Sequence, residues 1–383
     1  MTQAKHSNRS NSPSSPLILG IDASRAARAR RTGTETYSLE LIKALAGLSN
    51  HELRLRLYTP HPPQHTDWPD AAHVETRVIP WPRMWTHLRL AAELQQNPPH
   101  HLFVPAHVVP FYCPVPAVVT VHDLGYKYYP AAHRPFDRWY LDWTTRRHTR
   151  VARHIVADSL ATKRDLIDFY HGDPDRIHVI YLGRNENLAP VDDLTRMTQA
   201  KTKYGITKDY LLYLGTLHPR KNLVRLIEAF HVAQAQLPPS LKLVIAGQKG
   251  WLYDEIFARV QHLHLSDRVI FPGFVDDADK PALLSGALAY VFPSLYEGFG
   301  LPVLEAMACQ TPVLTSTVSS LPEVAGDAAL LIDPHSHENI AAGIVRLVND
   351  DALRHDLIKK GLAQLEKFSW DRAAQQILET LTS

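Results

Sequence analysis

Short apolar runs alternate with amphipathic stretches along almost the whole chain, and they do so twice. In the first half, Leu17 to Ile21, Leu53 to Tyr58, Val74 to Ile79, Leu102 to Val104, Ala117 to Val121 and Ile155 to Ala157 read as buried strands. Helical stretches separate several of them, the first marked by Leu41, Ile42, Leu45 and Leu48. After a polar, poorly periodic segment from Gly183 to Tyr204 the alternation restarts: strand Tyr210 to Leu214, helix Leu223 to Ala233, strand Leu241 to Ala246, helix Ile256 to His264, strand Val269 to Phe271. Strands joined by helical crossovers make a mostly parallel sheet covered on both faces. Two such sheets in tandem fit 383 residues and predict an α/β protein with a ligand cleft between two nucleotide-type domains.

Composition excludes several classes. With 45% hydrophobic and 21% charged residues the chain reads as globular. Lys plus Arg number 41 against 39 Asp plus Glu, a formal charge of +2, which gives no support to nucleic acid as a partner. The 22 histidines make the protein more basic below about pH 6.5. No apolar run is long enough to cross a bilayer, so any membrane contact is expected to be peripheral. Residues 1–16, rich in Ser, Asn and Pro, read as a disordered tail rather than a secretory signal. Cys113 and Cys309 are far apart and read as reduced thiols of a cytosolic protein.

Residues 292–305, FPSLYEGFGLPVLE, carry the strongest chemical signal. An apolar strand ending at Phe292 is broken by Pro293 and Ser294, Gly298 and Gly300 allow a tight loop, and Pro302 sits where a helix starts. A helix N-terminus offers unpaired amides and the positive end of its dipole, so the loop suits a phosphate. Glu297 and Glu305 bracket it, and carboxylates accept paired hydrogen bonds from vicinal hydroxyls. A ligand with both phosphate and sugar hydroxyls answers both features; a strand-to-helix connection with two solvated glutamates is the alternative. Strand Tyr210 to Leu214 ends likewise in Gly215-Thr216-Leu217-His218-Pro219-Arg220-Lys221-Asn222, which sets two fixed cations and free amides before a helix, as a diphosphate requires.

In the first half, Val118 to Val121 runs into His122-Asp123-Leu124-Gly125 at the carboxyl end of a buried strand, the edge where open α/β sheets bind ligands. His122 there either donates to a ligand or forms a structural pair with Asp123. Between Pro135 and His154, Trp139 and Trp143 fall at helical spacing, as do Arg146, Arg150 and Arg153. Either the helix lies on anionic lipid or it is packed, with a solvated basic face. Asp277-Ala278-Asp279 has a metal-binding form but precedes a helix, so capping is the reading preferred. Neighbouring histidines at 100 and 101, 262 and 264, and 335 and 337 have no partners at zinc spacing and read as surface residues.

Gly215-Thr216 with Arg220-Lys221-Asn222, Gly273-Phe274-Val275, Glu297-Gly298-Phe299-Gly300-Leu301-Pro302 and Glu305, separated from Glu297 by seven residues, resemble the retaining glycosyltransferases of family 4. Thr32-Gly33 before Tyr37, Val121-His122-Asp123-Leu124, and Ser159 with Lys163-Arg164-Asp165-Leu166 extend the resemblance over most of residues 17–370. It implies the GT-B architecture: two Rossmann-like parallel-sheet domains facing an interdomain cleft. The expected division is a tail at 1–16, an acceptor domain at 17–182, a linker at 183–205, a nucleotide-sugar donor domain at 206–365, and a helix at 366–383 that crosses back to the first domain, held by Trp370.

The resemblance also implies roles. Arg220 and Lys221 would hold the donor diphosphate and offset charge on the departing nucleotide; Glu305 would bind the ribose hydroxyls and Glu297 the donor sugar. Gly215, Thr216 and the amides of Phe299, Gly300 and Leu301 would support sugar and phosphate, and the backbone at Phe274 and Val275 would meet the base. His122 would reach the transferred sugar, and Gly33 would let its loop approach the diphosphate. Two departures stand out: Glu35 replaces a second glycine, and should point away from a diphosphate or face the acceptor, and Leu182 to Glu186 differs from the family's usual ending of the first domain.

The implied reaction is transfer of a hexose, best read as mannose from GDP-mannose or another nucleotide-diphosphate hexose, to a glycan or lipid-linked saccharide in polysaccharide assembly. Anomeric configuration is retained by front-face attack; no metal or other cofactor is required. The implied location is cytoplasmic, with possible contact at the inner face of the membrane. A sugar-nucleotide epimerase or hydrolase on the same scaffold, or a non-catalytic nucleotide-sugar-binding subunit, are the alternatives.

Overall fold

The computed structural model describes residues 16–28, 33–64, 66–106, 108–132, 134–250 and 252–382. The expected tail lies outside them, apart from Pro16, as do Arg30, Arg31 and Thr32. Thirteen strands form two parallel sheets among the described residues. The first has the order β3-β2-β1-β4-β5-β6-β7, from β1 (Leu17–Asp22), β2 (Leu53–Thr59), β3 (Val74–Val78), β4 (His101–Val104), β5 (Ala117–Val121), β6 (His154–Ala157) and β7 (Ile177–Val179). The second has the order β10-β9-β8-β11-β12-β13, from β8 (Tyr210–Leu214), β9 (Lys242–Ala246), β10 (Val269–Gly273), β11 (Ala289–Phe292), β12 (Val313–Ser316) and β13 (Ala329–Ile332). Two parallel sheets with Rossmann-like strand order are what the alternating pattern predicts.

Helices connect the strands: α1 (Gly33–Leu48), α2 (Ala91–Gln96), α3 (Gly125–Tyr128), α4 (Pro135–Val151), α5 (Leu160–Tyr170), α6 (Leu194–Lys203) and α7 (Leu223–Ala233) precede α8 (Asp254–His262), α9 (Lys280–Ser285), α10 (Leu301–Ala308) and α11 (Leu321–Ala325). The chain ends in α12 (His337–Asn349), α13 (Asp351–Leu365) and α14 (Trp370–Thr382). The described residues fall into two compact units, one of those up to 120 with 152–154 and those from 374 on, the other of 121–151 and 155–373.

The polar segment after Gly183 is more ordered than its composition suggests. Asp193 accepts from the Thr195 and Arg196 amides and starts α6, a helix that the lack of apolar period concealed. Strands β12 and β13 were likewise not expected.

In the second unit the core is built to position loops. Tyr210, Tyr213, Tyr290 and Phe292 on β8 and β11 are almost fully buried, each worth about 1.5–3 kcal/mol of transfer free energy. Their hydroxyls are used: Tyr290 donates to the Leu214 carbonyl at 3.0 Å and Tyr213 to the Thr216 carbonyl at 3.1 Å, which ties down the turn leaving β8. In the first unit, Leu19 and Ile21 on β1 meet Leu39, Leu41 and Ile42 of α1 in the buried set, and the Tyr37 hydroxyl shares a 3.0 Å hydrogen bond with Thr120.

Candidate active site

The turn after β8 and the loop after β11 are joined by one carboxylate. Glu297 is buried, and receives Lys221 Nζ at 2.6 Å, Arg220 Nη1 at 3.2 Å and the Ser294 hydroxyl. Burial alone raises a carboxyl pKa, but Lys221 and Arg220 more than offset it and hold Glu297 below its ordinary range. Burial pushes the Lys221 ammonium below its ordinary value against the pull of Glu297. Two cations are thus fixed side by side on an anion of the protein itself. Both oxygens of Glu297, the residue expected to contact the donor sugar, are engaged by neighbouring side chains.

Several local devices hold this arrangement. His218 caps the short turn Pro219–Lys221, with Nδ1 accepting from the Arg220 amide at 3.3 Å. Asn222, in the left-handed region at φ 63°, donates to the Pro293 and Pro334 carbonyls at 3.1 and 2.7 Å, which joins three loops before α7 begins. Ser319 and Ser320 donate to the Glu297 carbonyl, and Ser320 also to that of Phe299. Gly300 at φ 121° makes the last bend before α10, a conformation in which a side chain would be strained. Pro302 in the first turn of α10 lacks an N–H that would go unused there.

His122 follows β5 and Asp158 follows β6, neighbouring strands of the first sheet. His122 Nδ1 lies 2.6 Å from Asp158 Oδ2, so the predicted pairing with Asp123 is not the one formed; Asp123 instead accepts from the Gly125 amide. Burial raises the pKa of Asp158, while the His122 ring beside it pulls the other way. The 297–300 loop passes close to this histidine. A Cβ on Gly298 would lie 2.2 Å from the His122 carbonyl oxygen, so only glycine permits the approach. The Tyr296 hydroxyl accepts from the Leu124 amide at 2.9 Å and donates to Asp165 at 2.8 Å. The Glu323 carboxylate caps α5 by accepting from the Leu160 and Ala161 amides at 2.9 and 3.1 Å.

The second unit therefore brings Arg220, Lys221, Glu297 and His122 into one neighbourhood with Gly215, Thr216, Phe299, Gly300 and Leu301. The Phe299 ring packs among Tyr181 and Phe368, which leaves its backbone as the part able to serve a ligand. Glu305 stands on α10 with Lys280 Nζ 3.3 Å from both oxygens. Val275 is buried, while Phe274 beside it is exposed. Gly33 opens α1 in the first unit, exposed and with open space where a Cβ would stand, so no close packing there demands glycine. Glu35 is buried and paired with Arg25 at 2.9 Å and Arg28 at 3.7 Å, so its charge is met locally. Also in the first unit is a cavity of about 410 Å³ whose lining includes Ser24, Arg28, His61, Trp81, Arg83 and Trp85.

Of the residues that sequence reasoning missed, Ser294 lay inside the quoted motif and its hydroxyl was a legible signal. Asp158 and Glu323 act on partners 36 and 163 positions away and gave none, while Asp165 stood in a quoted segment without a stated role. Asp279 does stand at the start of α9, but its carboxylate makes no cap; it is bound by Lys203 and Tyr204 instead. Cys113 and Cys309 form no disulfide. Among the described residues no group of three or more His, Cys, Asp or Glu is placed to hold a metal ion, and no helix is long and apolar enough to cross a membrane.

Comparison with known proteins bears on family and fold. The family described as glycosyl transferases group 1 matches residues 197–364, and that described as glycosyltransferase family 4 matches residues 31–188. The chain is 32% identical over 369 residues to O-antigen chain mannosyltransferase B of Escherichia coli, which covers 91% of this chain and 95% of that one. It is 34% identical over 231 residues to the serotype-specific mannosyltransferase WbdA of Escherichia coli, 60% of this chain and 28% of that longer protein. The crystal structure of Anabaena HepE in complex with UDP and glucose superposes with a TM-score of 0.71 at 20% identity, covering 96% and 99% of the two chains. With both halves matched and one relative aligned nearly end to end, the chain belongs to the group 1, family 4 glycosyltransferases and has the GT-B fold.

Proposed function

We propose that this glycosyltransferase moves a mannosyl residue from GDP-mannose to a hydroxyl of a glycan or lipid-linked saccharide at a membrane surface, with retention of anomeric configuration and without a metal. The observation that carries the reading is the Glu297 cluster: Lys221 and Arg220 are held beside the loop that opens onto the N-terminus of α10. Negative charge that develops on a departing diphosphate then meets two cations and free amides already in place, which is the task a metal performs elsewhere. The choice of mannose rests on the mannosyltransferase names of the aligned relatives, and the assembly of an O-antigen-like polysaccharide rests on the same names.

Each residue has one part in this reading. Arg220 and Lys221 bind the diphosphate; on departure of the nucleotide their hydrogen bonds strengthen as charge builds. Glu305, steadied by Lys280, accepts the ribose hydroxyls. The backbone at Phe274 and Val275 meets the base, and the amides of Phe299, Gly300 and Leu301 take up sugar and phosphate. His122, oriented by Asp158, faces the transferred hexose. A phosphate oxygen of the donor takes the proton of the attacking hydroxyl, which arrives on the face the nucleotide leaves. The arginine- and tryptophan-lined cavity of the first unit suits a polar acceptor.

The test is transfer from GDP-mannose to a mannose-terminated acceptor in the presence of EDTA, with the new anomeric proton followed by NMR. An α product from the α donor supports the reading. A β product, or turnover that stops with EDTA and resumes with manganese, removes it. GDP-mannose consumption at full rate without acceptor would favour the hydrolase alternative.

A further inference from the structure

Helix α4 is inverted relative to an ordinary surface helix. At 100° per residue, Phe136, Trp139, Trp143, Arg146 and Arg150 fall on one stripe, and the opposite side carries Thr144, Thr145 and His148. It is the threonines and the histidine that are buried. Phe136 is 70% exposed, Trp139 59% and Trp143 36%. The rings lie along the helix in stacked pairs, Trp139 on Trp143 at 6.3 Å and Phe136 on Tyr140 at 6.5 Å. Several polar groups beneath the helix are bonded: Tyr126 donates to Thr145 at 2.9 Å, Tyr170 donates to Asp142 at 2.8 Å, and Lys127 pairs with Asp142, while the buried His148 Nε2 has no hydrogen-bond partner among the described residues. The helix is packed by its polar side, and its aromatic and basic side faces solvent.

Charge adds to this. Residues 134–151 carry five arginines and two aspartates, and one of the two, Asp142, is already engaged by Lys127 and Arg146. The whole chain has a formal charge of only +2, so this one helix is far more basic than the chain around it. Aromatic rings occupy the first half of the outward stripe and arginines the second. Trp and Phe rings settle at the headgroup level of a bilayer, and arginines pair with its phosphates. A second copy docking by the same face with the two helices parallel would set Arg146 and Arg150 against the same two residues, a repulsive arrangement.

We infer that the outward face of α4, formed by Phe136, Trp139, Trp143, Arg146 and Arg150, docks the enzyme on an anionic phospholipid surface. This deepens the membrane-surface part of the proposed function and is independent of the transfer chemistry, so its test reads binding alone. The full chain is sedimented with vesicles of neutral phosphatidylcholine and with vesicles containing roughly a quarter phosphatidylglycerol, near physiological salt. Partition onto the anionic vesicles is expected to exceed that onto neutral ones at least tenfold. The double variant Trp139→Ser/Trp143→Ser, verified as folded by circular dichroism, should lose at least tenfold in binding. Arg146→Gln/Arg150→Gln should lose the preference for anionic lipid and its salt dependence. Wild-type protein that stays in the supernatant with anionic vesicles overturns the inference, as does a tryptophan double variant that binds like wild type. Light scattering that shows a dimer, made monomeric by the same tryptophan changes, assigns the face to a second copy and also overturns it.

Discussion

Removing the charge of Lys221 without its bulk separates its two duties. In the folded protein the Glu297 carboxylate has three partners: Lys221 at 2.6 Å, Arg220 at 3.2 Å and the Ser294 hydroxyl. Lys221→Met leaves the carboxylate with Arg220 and Ser294, so the stability lost is that of one charged hydrogen bond, about 1.5–3 kcal/mol. Glu297→Gln instead leaves Lys221 and Arg220, whose side chains are 11% and 26% exposed, with no anion between them and should cost more, about 3 kcal/mol, the low end for a fully buried pair. Because the residues touch, the double variant should be less destabilised than the two losses added together, by about 1–3 kcal/mol. Catalysis should respond differently. Loss of one preformed cation at the departing diphosphate corresponds to roughly 2.7–4 kcal/mol, or about a hundred- to a thousandfold in kcat. Denaturant unfolding of the four proteins and steady-state kinetics with GDP-mannose measure both effects. Strictly additive stabilities, or a folded Lys221→Met enzyme with unchanged kcat/KM, would refute the cluster as both scaffold and charge acceptor.

Three further outcomes follow from the structure. His148 is buried in α4 and its pKa is pushed down to about 3 by burial, with Arg147 adding to the effect. Above its ordinary value of 6.5 it contributes no penalty; below that the unfolded chain takes up a proton the folded chain refuses, so stability falls as pH drops from 6.5 toward 3. Between pH 7 and 5 this group alone should cost about 2 kcal/mol, and His148→Gln should flatten that part of the stability curve; equal acid sensitivity in both proteins would contradict it. Gly298→Ala places a methyl 2.2 Å from the His122 carbonyl oxygen and should cut kcat/KM at least tenfold by displacing the loop, whereas wild-type kinetics would mean the loop is not held as drawn. Glu323→Ala removes the cap from the Leu160 and Ala161 amides and should lower stability by about 1–2 kcal/mol in chemical denaturation, with a loss under about 0.3 kcal/mol counting against it.

The fold and the glycine loop after β11 were legible because their signals are local. A strand, two glycines and a Pro-started helix sit within residues 288–305, and the cations Arg220 and Lys221 lie within seven residues of the strand that presents them. The rest depends on distant partners. Asp158 is 36 residues from His122, and only the neighbouring of β5 and β6 brings them together. Asp279 had the position of a helix cap, yet Lys203 and Tyr204 claim its carboxylate from 75 or more residues away. Glu35 looked misplaced in a glycine position because its partners, Arg25 and Arg28, lie upstream in a loop with no periodicity to read. Helical spacing in α4 showed which residues share a face, but not which face turns inward; Thr144, Thr145 and His148 decide that, and none of them looks like a core residue.

Calorimetric titration of the folded protein with GDP-mannose in EDTA, beside UDP-glucose, UDP-N-acetylglucosamine and the free nucleotides, tests the central claim most directly. The account predicts that one nucleotide sugar, GDP-mannose, binds with a Kd on the order of micromolar without metal, and that Lys221→Met weakens it at least tenfold. No binding by any of them, or binding that appears only when manganese is restored, would contradict a donor site built on Arg220, Lys221 and Glu297.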